Sequence, residues 1–164
     1  MTQILNPIQI NQKEKNMKSN ETYDFHIRWA WYKISRLYNS IAQEHGMNMS
    51  IGYALIKIDP ENGTPSTKLG PLMGMESRSL TRTLKTMQEQ DLIVKRPDVK
   101  DKRVIRIVLT QKGHAQRDIA KKVVIDFNTI IDGKLNPTEK TNFFSSIGKI
   151  NEVLESELFK KRKK

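Results

Sequence analysis

Between Glu76 and Lys85 the chain reads Glu-Ser-Arg-Ser-Leu-Thr-Arg-Thr-Leu-Lys, an order that a helix sorts into two faces. Leu80 and Leu84 fall together with Met87 on one side and must turn inward, which leaves Ser77, Arg78, Ser79, Thr81, Arg82 and Lys85 on the other. Small hydroxyls and long cations are the side chains that reach phosphate oxygens and base edges without crowding a groove. A second group follows at once in Lys95-Arg96-Pro97-Asp98-Val99-Lys100-Asp101-Lys102-Arg103, a connection rich in turn formers and positive charge. Its cations suit phosphates or a minor groove. A solvated helix face and a hairpin tip charged only for solubility are the alternatives for these two groups.

The wider composition agrees with a polyanion partner. The chain has 164 residues with 29 Lys and Arg against 18 Asp and Glu, a net charge of +11, and the stretch from Lys57 to Lys112 alone holds 12 cations against 7 anions. At 37% apolar residues it can bury a core, and its length predicts one domain with tails. It has no Cys, so a disulfide frame, a thiolate nucleophile, a thiol redox switch and a Cys-containing zinc site are excluded. His26, His45 and His114 are isolated from one another and from suitably spaced carboxylates, so neither metal nor cofactor is expected. No G-x-S-x-G, phosphate-binding Gly loop or H-E-x-x-H occurs, which argues against an enzyme. No apolar run nears the roughly 20 residues that cross a bilayer, and the start lacks a signal-peptide core, so a soluble, cytoplasmic protein without a membrane partner is expected.

The elements that must position these groups are legible in order. Residues 1–20 are polar and interrupted by Pro7, which predicts a flexible arm. Ile27, Ala30, Trp31, Ile34, Leu37, Tyr38 and Ile41 recur at helical spacing over about 23–45, with Gly46 as a stop. Ser50 offers a cap to a short helix ending near Ile58, before Asp59-Pro60 and the Asn62-Gly63 turn. Ser66 or Thr67 can cap the next, beginning at about Thr67 or Lys68 so that Pro71 stays in its first turn; Gly74 and the Leu80 helix follow. Ile93-Val94 and the alternation of Ile105, Ile107 and Leu109 make a hairpin, with Arg106 on its outer face. Thr110 caps a helix running to about Gly133, and Asn136-Pro137 opens the last, whose stripe is Phe143, Ile147, Ile150, Leu154 and Leu158. Residues 160–164 form a basic tail that adds non-specific attraction.

Two helices joined by a Gly-containing turn and followed by a basic hairpin make a winged helix-turn-helix, here over about 50–110. The expected fold class is therefore mainly α with a small β-hairpin wing, flanked by N- and C-terminal dimerisation helices. At this point the residues resemble a known family. Asp98-Val-Lys-Asp101-Lys-Arg103 followed by Ile107-Val-Leu109-Thr110-Gln-Lys-Gly113 is similar to the wing signature of the MarR family of bacterial transcription regulators. Leu69, Gly74, Leu80-Thr81-Arg82, Leu84, Met87 and Leu92-Ile93 fit the family's helix-turn-helix frame, so the resemblance covers about 21–160.

The resemblance implies a homodimer in which end helices, about 23–45 and 111–160, interlock. Each subunit would then offer a winged helix to half of a pseudo-palindromic site on double-stranded DNA. It implies that Arg103 enters the minor groove and that Asp101 orients it, with Arg96 and Lys102 beside them on the wing. It further implies a repressor relieved by a small lipophilic or aromatic effector, and the absence of Cys places the chain outside the thiol-sensing subgroup. The aromatic load of the first helix, with Trp29 and Tyr32, and Tyr53 on the next, could line a pocket for such an effector; the same rings could instead form the dimer core and its edge. Two departures stand out: Asp91 occupies the place where Gly commonly ends the recognition helix, and Gly70-Pro71 falls inside the helix before it. The reading from another class is a non-specific architectural module that binds nucleic acid through charge alone.

Overall fold

The computed structural model describes residues 19–156, so most of the expected arm, the end of the last stripe at Leu158 and the basic tail lie outside the described residues. Ser19–Glu21, assigned above to the arm or its margin, form a 3-10 turn. Six α-helices follow, α1 Tyr23–Glu44, α2 Met49–Lys57, α3 Ser66–Met73, α4 Ser77–Glu89, α5 Gln111–Asp132 and α6 Pro137–Glu155, with strands β1 Thr64–Pro65, β2 Ile93–Pro97 and β3 Ile105–Leu109. The strands form one antiparallel sheet of order β1-β3-β2. Among the described residues no helix is long and apolar enough to cross a membrane. The chain divides into two compact units, one ending at Ala120 and the other beginning at Lys121.

The first unit holds the core. Ile51 and Leu55 of α2 with its C-cap Ile58, Leu69 of α3, Leu80, Leu84 and Met87 of α4, and Leu92, Ile93, Ile107 and Leu109 beside them form one buried cluster. The inward face expected for α4 is therefore the observed one. Strand β2 runs three residues beyond Ile93-Val94, with Lys95 opposite Ile107 and Pro97 opposite Ile105. An edge strand tolerates both Pro and charge because one side of its backbone needs no partner. Strand β1 has no sequence signal, since two residues, one of them Pro, carry no alternation.

The caps correct the sequence reading twice. Asn48, not Ser50, caps α2, its Oδ1 accepting the Ile51 amide at 2.9 Å, because the helix starts at Met49 and Ser50 already lies within its first turn. Neither Ser66 nor Thr67 caps α3: the N-cap is Pro65, and the earlier start leaves Pro71 inside the helix. The ring is tolerated because the carbonyl it deprives of a donor is that of Thr67, an exposed residue that water can serve.

Three helices end in the same closure. After α1, α3 and α4 the next amides double back to the last turn, Met47 N to the Ala42 carbonyl at 2.9 Å, Met75 N to Gly70 at 3.0 Å and Leu92 N to Met87 at 2.9 Å. Each closure passes through a left-handed residue, Gly46 at φ 69°, Gly74 at φ 60° and Asp91 at φ 56°. Asp91 thus does the work that Gly does elsewhere, and a Cβ resists that conformation. Asp91→Gly is expected to leave the fold intact and raise its stability by up to about 1 kcal/mol, measured by guanidinium unfolding; a loss would mean that the Asp91 side chain stabilises the turn.

Thr110 caps α5 as expected, its Oγ1 accepting the Gly113 amide at 2.9 Å while its hydroxyl donates to the Asp91 carbonyl at 2.6 Å. The Thr110 amide donates to the Leu92 carbonyl at 3.1 Å and the Lys112 ammonium to the Gln90 carbonyl at 2.8 Å, so the end of α4 and the start of α5 are tied at three points. In the second unit, Asn136 and Glu139 form a reciprocal capping box at the start of α6. Neither α1 nor α6 buries a residue fully. Phe143, Phe144, Val153 and Leu154 of α6 stand exposed, as do Tyr23, Trp29, Trp31 and Tyr32 of α1.

Candidate nucleic-acid interface

Helix α4 is positioned from beneath by Leu80, Leu84 and Met87, which are 8%, 5% and 0% exposed. That anchoring leaves Ser77, Arg78, Ser79, Thr81, Arg82 and Lys85 all exposed, as their spacing predicts. The Thr81 hydroxyl donates to the Ser77 carbonyl at 2.8 Å, which leaves its oxygen free to accept. Lys85 lies 3.7 Å from Glu89 with both side chains in solvent, a pair too weak to hold the ammonium from another partner. Among the described residues Arg78 and Arg82 form no ion pair. Neither α3 nor α4 has a side-chain cap, whereas Thr22, Asn48, Thr110 and Asn136 cap the other helices. The two helices of the motif therefore keep first-turn N–H donors that the rest of the fold consumes.

The wing owes its shape to Asp98 and Arg106. The Asp98 Oδ1 accepts the amides of Lys100 at 2.8 Å and Asp101 at 3.2 Å, which folds the tip into a turn. Its Oδ2 takes the Nε–H of Arg106, whose outer nitrogen donates to the carbonyls of Asn62 at 3.1 Å and Gly63 at 2.9 Å. Arg106, expected on the strand's open face, is thus a half-buried staple between the wing and the turn before β1. The signal for it lay in the hairpin register, since Arg96 and Arg106 pair directly across the strands and two like charges there need a carboxylate nearby. Gly63 fits beneath at φ 65°, where a Cβ would stand 2.6 Å from the Ile107 carbonyl.

The charge network lowers the Asp98 carboxyl to about 2 from its ordinary 3.8, first through the Arg106 hydrogen bond and then through the Lys100 and Asp101 amides. A carboxyl depressed in the fold stabilises it above its unfolded value and loses that contribution as the pH falls toward the folded one. The wing should therefore hold at pH 5 and loosen between about pH 4 and pH 2. The check is thermal stability across that range beside Asp98→Asn: the parent should lose more than the variant, and parallel curves would remove Asp98 as the titrating group.

At the tip, Arg103 is 93% exposed, and the Asp101 Oδ1 accepts both its amide at 3.0 Å and its Nε–H at 3.3 Å. Asp101 therefore sets the direction in which the guanidinium leaves the wing. Arg96 and Lys102 are exposed beside it. The aromatic residues divide between two helices. Trp29 stacks on Tyr32 at 5.5 Å and on Phe25 at 6.4 Å along α1, while Tyr53 stands on α2 with the Lys57 ammonium 5.2 Å from its ring. Among the described residues no ring contact joins Tyr53 to Trp29 or Tyr32, and no group of three His, Cys, Asp or Glu is placed to hold a metal.

Comparison with known proteins places this geometry. Residues 48–105, from the cap of α2 to the start of β3, match the model of the MarR family. The HTH-type transcriptional regulator SarZ of Staphylococcus aureus is 28% identical over 100 residues, 58% of this chain and 68% of that protein. Among solved structures, the S. aureus MepR–DNA complex aligns over 82% of this chain and 99% of MepR with a TM-score of 0.75 at 15% identity. The PcaV transcriptional regulator of Streptomyces coelicolor, in complex with its natural ligand, aligns over 85% of this chain and 98% of PcaV with a TM-score of 0.72 at 17% identity.

Proposed function

We propose that this chain, whose residues 48–105 match the MarR family of winged helix-turn-helix transcriptional regulators, is a homodimeric repressor of a pseudo-palindromic promoter site. It is a DNA-binding regulator and not an enzyme. The observation that carries the finer reading is the pairing, in one unit, of an open hydroxyl-and-cation face on α4 with a wing that aims Arg103 through Asp101. Ser77, Arg78, Ser79, Thr81, Arg82 and Lys85 read the major groove. Arg103 enters the adjacent minor groove, and Arg96 and Lys102 hold phosphates beside it. The amides at the uncapped starts of α3 and α4 suit backbone phosphates.

The second copy is supported by what one copy leaves uncovered. Trp31 is 55% exposed and Trp29 51%, and Phe143 and Phe144 of α6 stand open at 56% and 70%. Apolar faces of that extent call for a partner surface, and a homodimer with two winged helices matches half-sites about one helical turn apart. A small lipophilic or aromatic effector, as the family resemblance implies, would act by changing the spacing of the two recognition helices; the structure of PcaV in complex with its natural ligand supports a ligand site in a fold of this kind. A shift of a few ångströms loses base contacts on one half-site and so weakens the pair.

The test is selection of bound duplexes from a random pool at near-physiological salt, with sedimentation at micromolar concentration alongside. A palindromic consensus bound at least about 10³-fold more tightly than random sequence supports a regulator with its own site. No enrichment supports the architectural reading, and a monomer sinks the mechanism. On the selected site, Arg82→Ala is expected to cost about 1–3 kcal/mol with relaxed preference at one position; a uniform loss across sequences would assign Arg82 to a phosphate.

A further inference from the structure

The three left-handed closures share a backbone pattern but differ in the side chain that seals them. In this motif the residue after the left-handed one packs back on the helix it terminates. Met47 and Leu92 do so in full burial, at 7% and 1% exposure. Met75, which seals the turn between α3 and α4, packs on the core cluster yet is only half-buried. It also lines an open cleft of about 440 Å³ with Ser66, Gly70, Pro71, Gly74 and Leu80. The joint it seals is closely fitted without strain, since a Cβ on Gly70 would stand 3.4 Å from the Met75 carbonyl oxygen, in ordinary van der Waals contact. Two residues later, at Ser77, the exposed face of α4 begins.

We propose that Met75 is an oxidant-responsive modification site, whose conversion to the sulfoxide opens the α3–α4 turn and releases DNA; the second half of that statement rests on the DNA-binding reading above. The oxidant is a hypohalous acid or a peroxide. With hypochlorous acid the thioether sulfur forms a bond to the oxygen, chloride departs with the electrons of the O–Cl bond, and the hydroxyl proton passes to water. Sulfur is oxidised by two electrons and chlorine is reduced by two. The chain offers no Cys to consume such an oxidant first. Met47, Met73 and Met87 are buried, which places their sulfurs behind packed side chains; Met49 is half-buried as Met75 is, but among the described methionines it is Met75 that fronts the cleft. The new oxygen makes a flexible apolar side chain polar, and it cannot remain against Leu80 and the core without a partner. It turns out into the cleft, the seal is lost, and the start of α4 moves with Ser77 and Arg78.

The full chain is treated with substoichiometric hypochlorous acid, then mapped by peptide mass and assayed for binding to the selected duplex. Met75 should gain an oxygen before Met47, Met73 and Met87, with binding weakened about tenfold or more and restored by methionine sulfoxide reductases. Met75→Leu should bind as the parent does and keep its affinity within about threefold after the same treatment. Met75→Gln, which carries a polar group at the same place without oxidant, should bind about tenfold more weakly while remaining folded, and stands on its own if the Leu variant does not fold. Oxidation of Met75 no earlier than of the buried three overturns the proposal. So does loss of binding in Met75→Leu in step with the parent, or a Met75→Gln variant that binds normally. Should the untreated parent bind no duplex, the DNA-binding reading is what has failed. The mapping order and a fall in melting temperature on oxidation, present in the parent and absent from Met75→Leu, then decide the site alone.

Discussion

Gly113→Ala is expected to cost the fold about 3 kcal/mol, a large share of the 5–15 kcal/mol by which a domain of this size is stable. An ideal Cβ on Gly113 would lie 2.0 Å from the Leu92 carbonyl oxygen and 3.0 Å from its carbon, so backbone must give way to backbone. Neither side is free to move. The Leu92 carbonyl accepts the Thr110 amide, the Leu92 amide closes α4 on Met87, and the side chain is 1% exposed in the core. On the other side the Gly113 amide is held by the Thr110 hydroxyl oxygen. Overpacking of about 1–3 kcal/mol is therefore joined by a hydrogen bond worth about 1 kcal/mol. Guanidinium unfolding measures the sum. A loss under 1 kcal/mol would show that α5 slides off the α4 terminus freely and that the joint is not rigid.

Arg103→Ala should produce the opposite division of effects. The side chain is 93% exposed and, among the described residues, its polar partner is Asp101, so stability should stay within about 0.5 kcal/mol of the parent. Binding to the selected duplex should nevertheless fall about tenfold or more, because on the proposed reading its guanidinium enters the narrow minor groove. Repeating the titration over a range of salt separates two modes: a phosphate contact lowers the slope of log K against log salt by about 1, whereas a groove contact also changes preference for A·T steps. Asp101→Ala should weaken binding less, since the cation remains and only its direction is lost. Equal affinity for Arg103→Ala and the parent would remove the wing from the interface.

These outcomes bear on how a winged-helix regulator of this kind is assembled. The face proposed to read DNA lies on a helix whose start follows one left-handed residue, Gly74, and whose end passes through another, Asp91. Helix α4 is thus pinned at both ends and by its buried stripe, while its outer side chains are unencumbered. The wing is pinned in turn by Arg106 to the loop before β1. Rigid supports under exposed cations keep the ordering cost of binding low.

The sequence by itself determined whatever depends on neighbours a few residues apart. The two faces of α4 follow from Leu80, Leu84 and Met87 at helical spacing, and the Thr110 cap and the Asn136-Pro137 start follow from local donors and acceptors. The Asp101 and Arg103 pairing sits two residues apart and was legible through the family's wing signature. Only the tertiary structure decided the rest. Arg106 became a staple because folding brings it to the carbonyls of Asn62 and Gly63, 44 and 43 residues away, where no periodicity reaches. Strand β1 exists because β3 offers it an edge, and the Asn48 cap and the position of Pro71 follow from where α2 and α3 are made to start. Asp91 accepts a left-handed backbone because Leu92 is fully buried behind it and Thr110 holds its carbonyl. Local chemistry chooses the kind of element; burial and long-range hydrogen bonds choose where it begins, what it faces and which of its charges remain free for DNA.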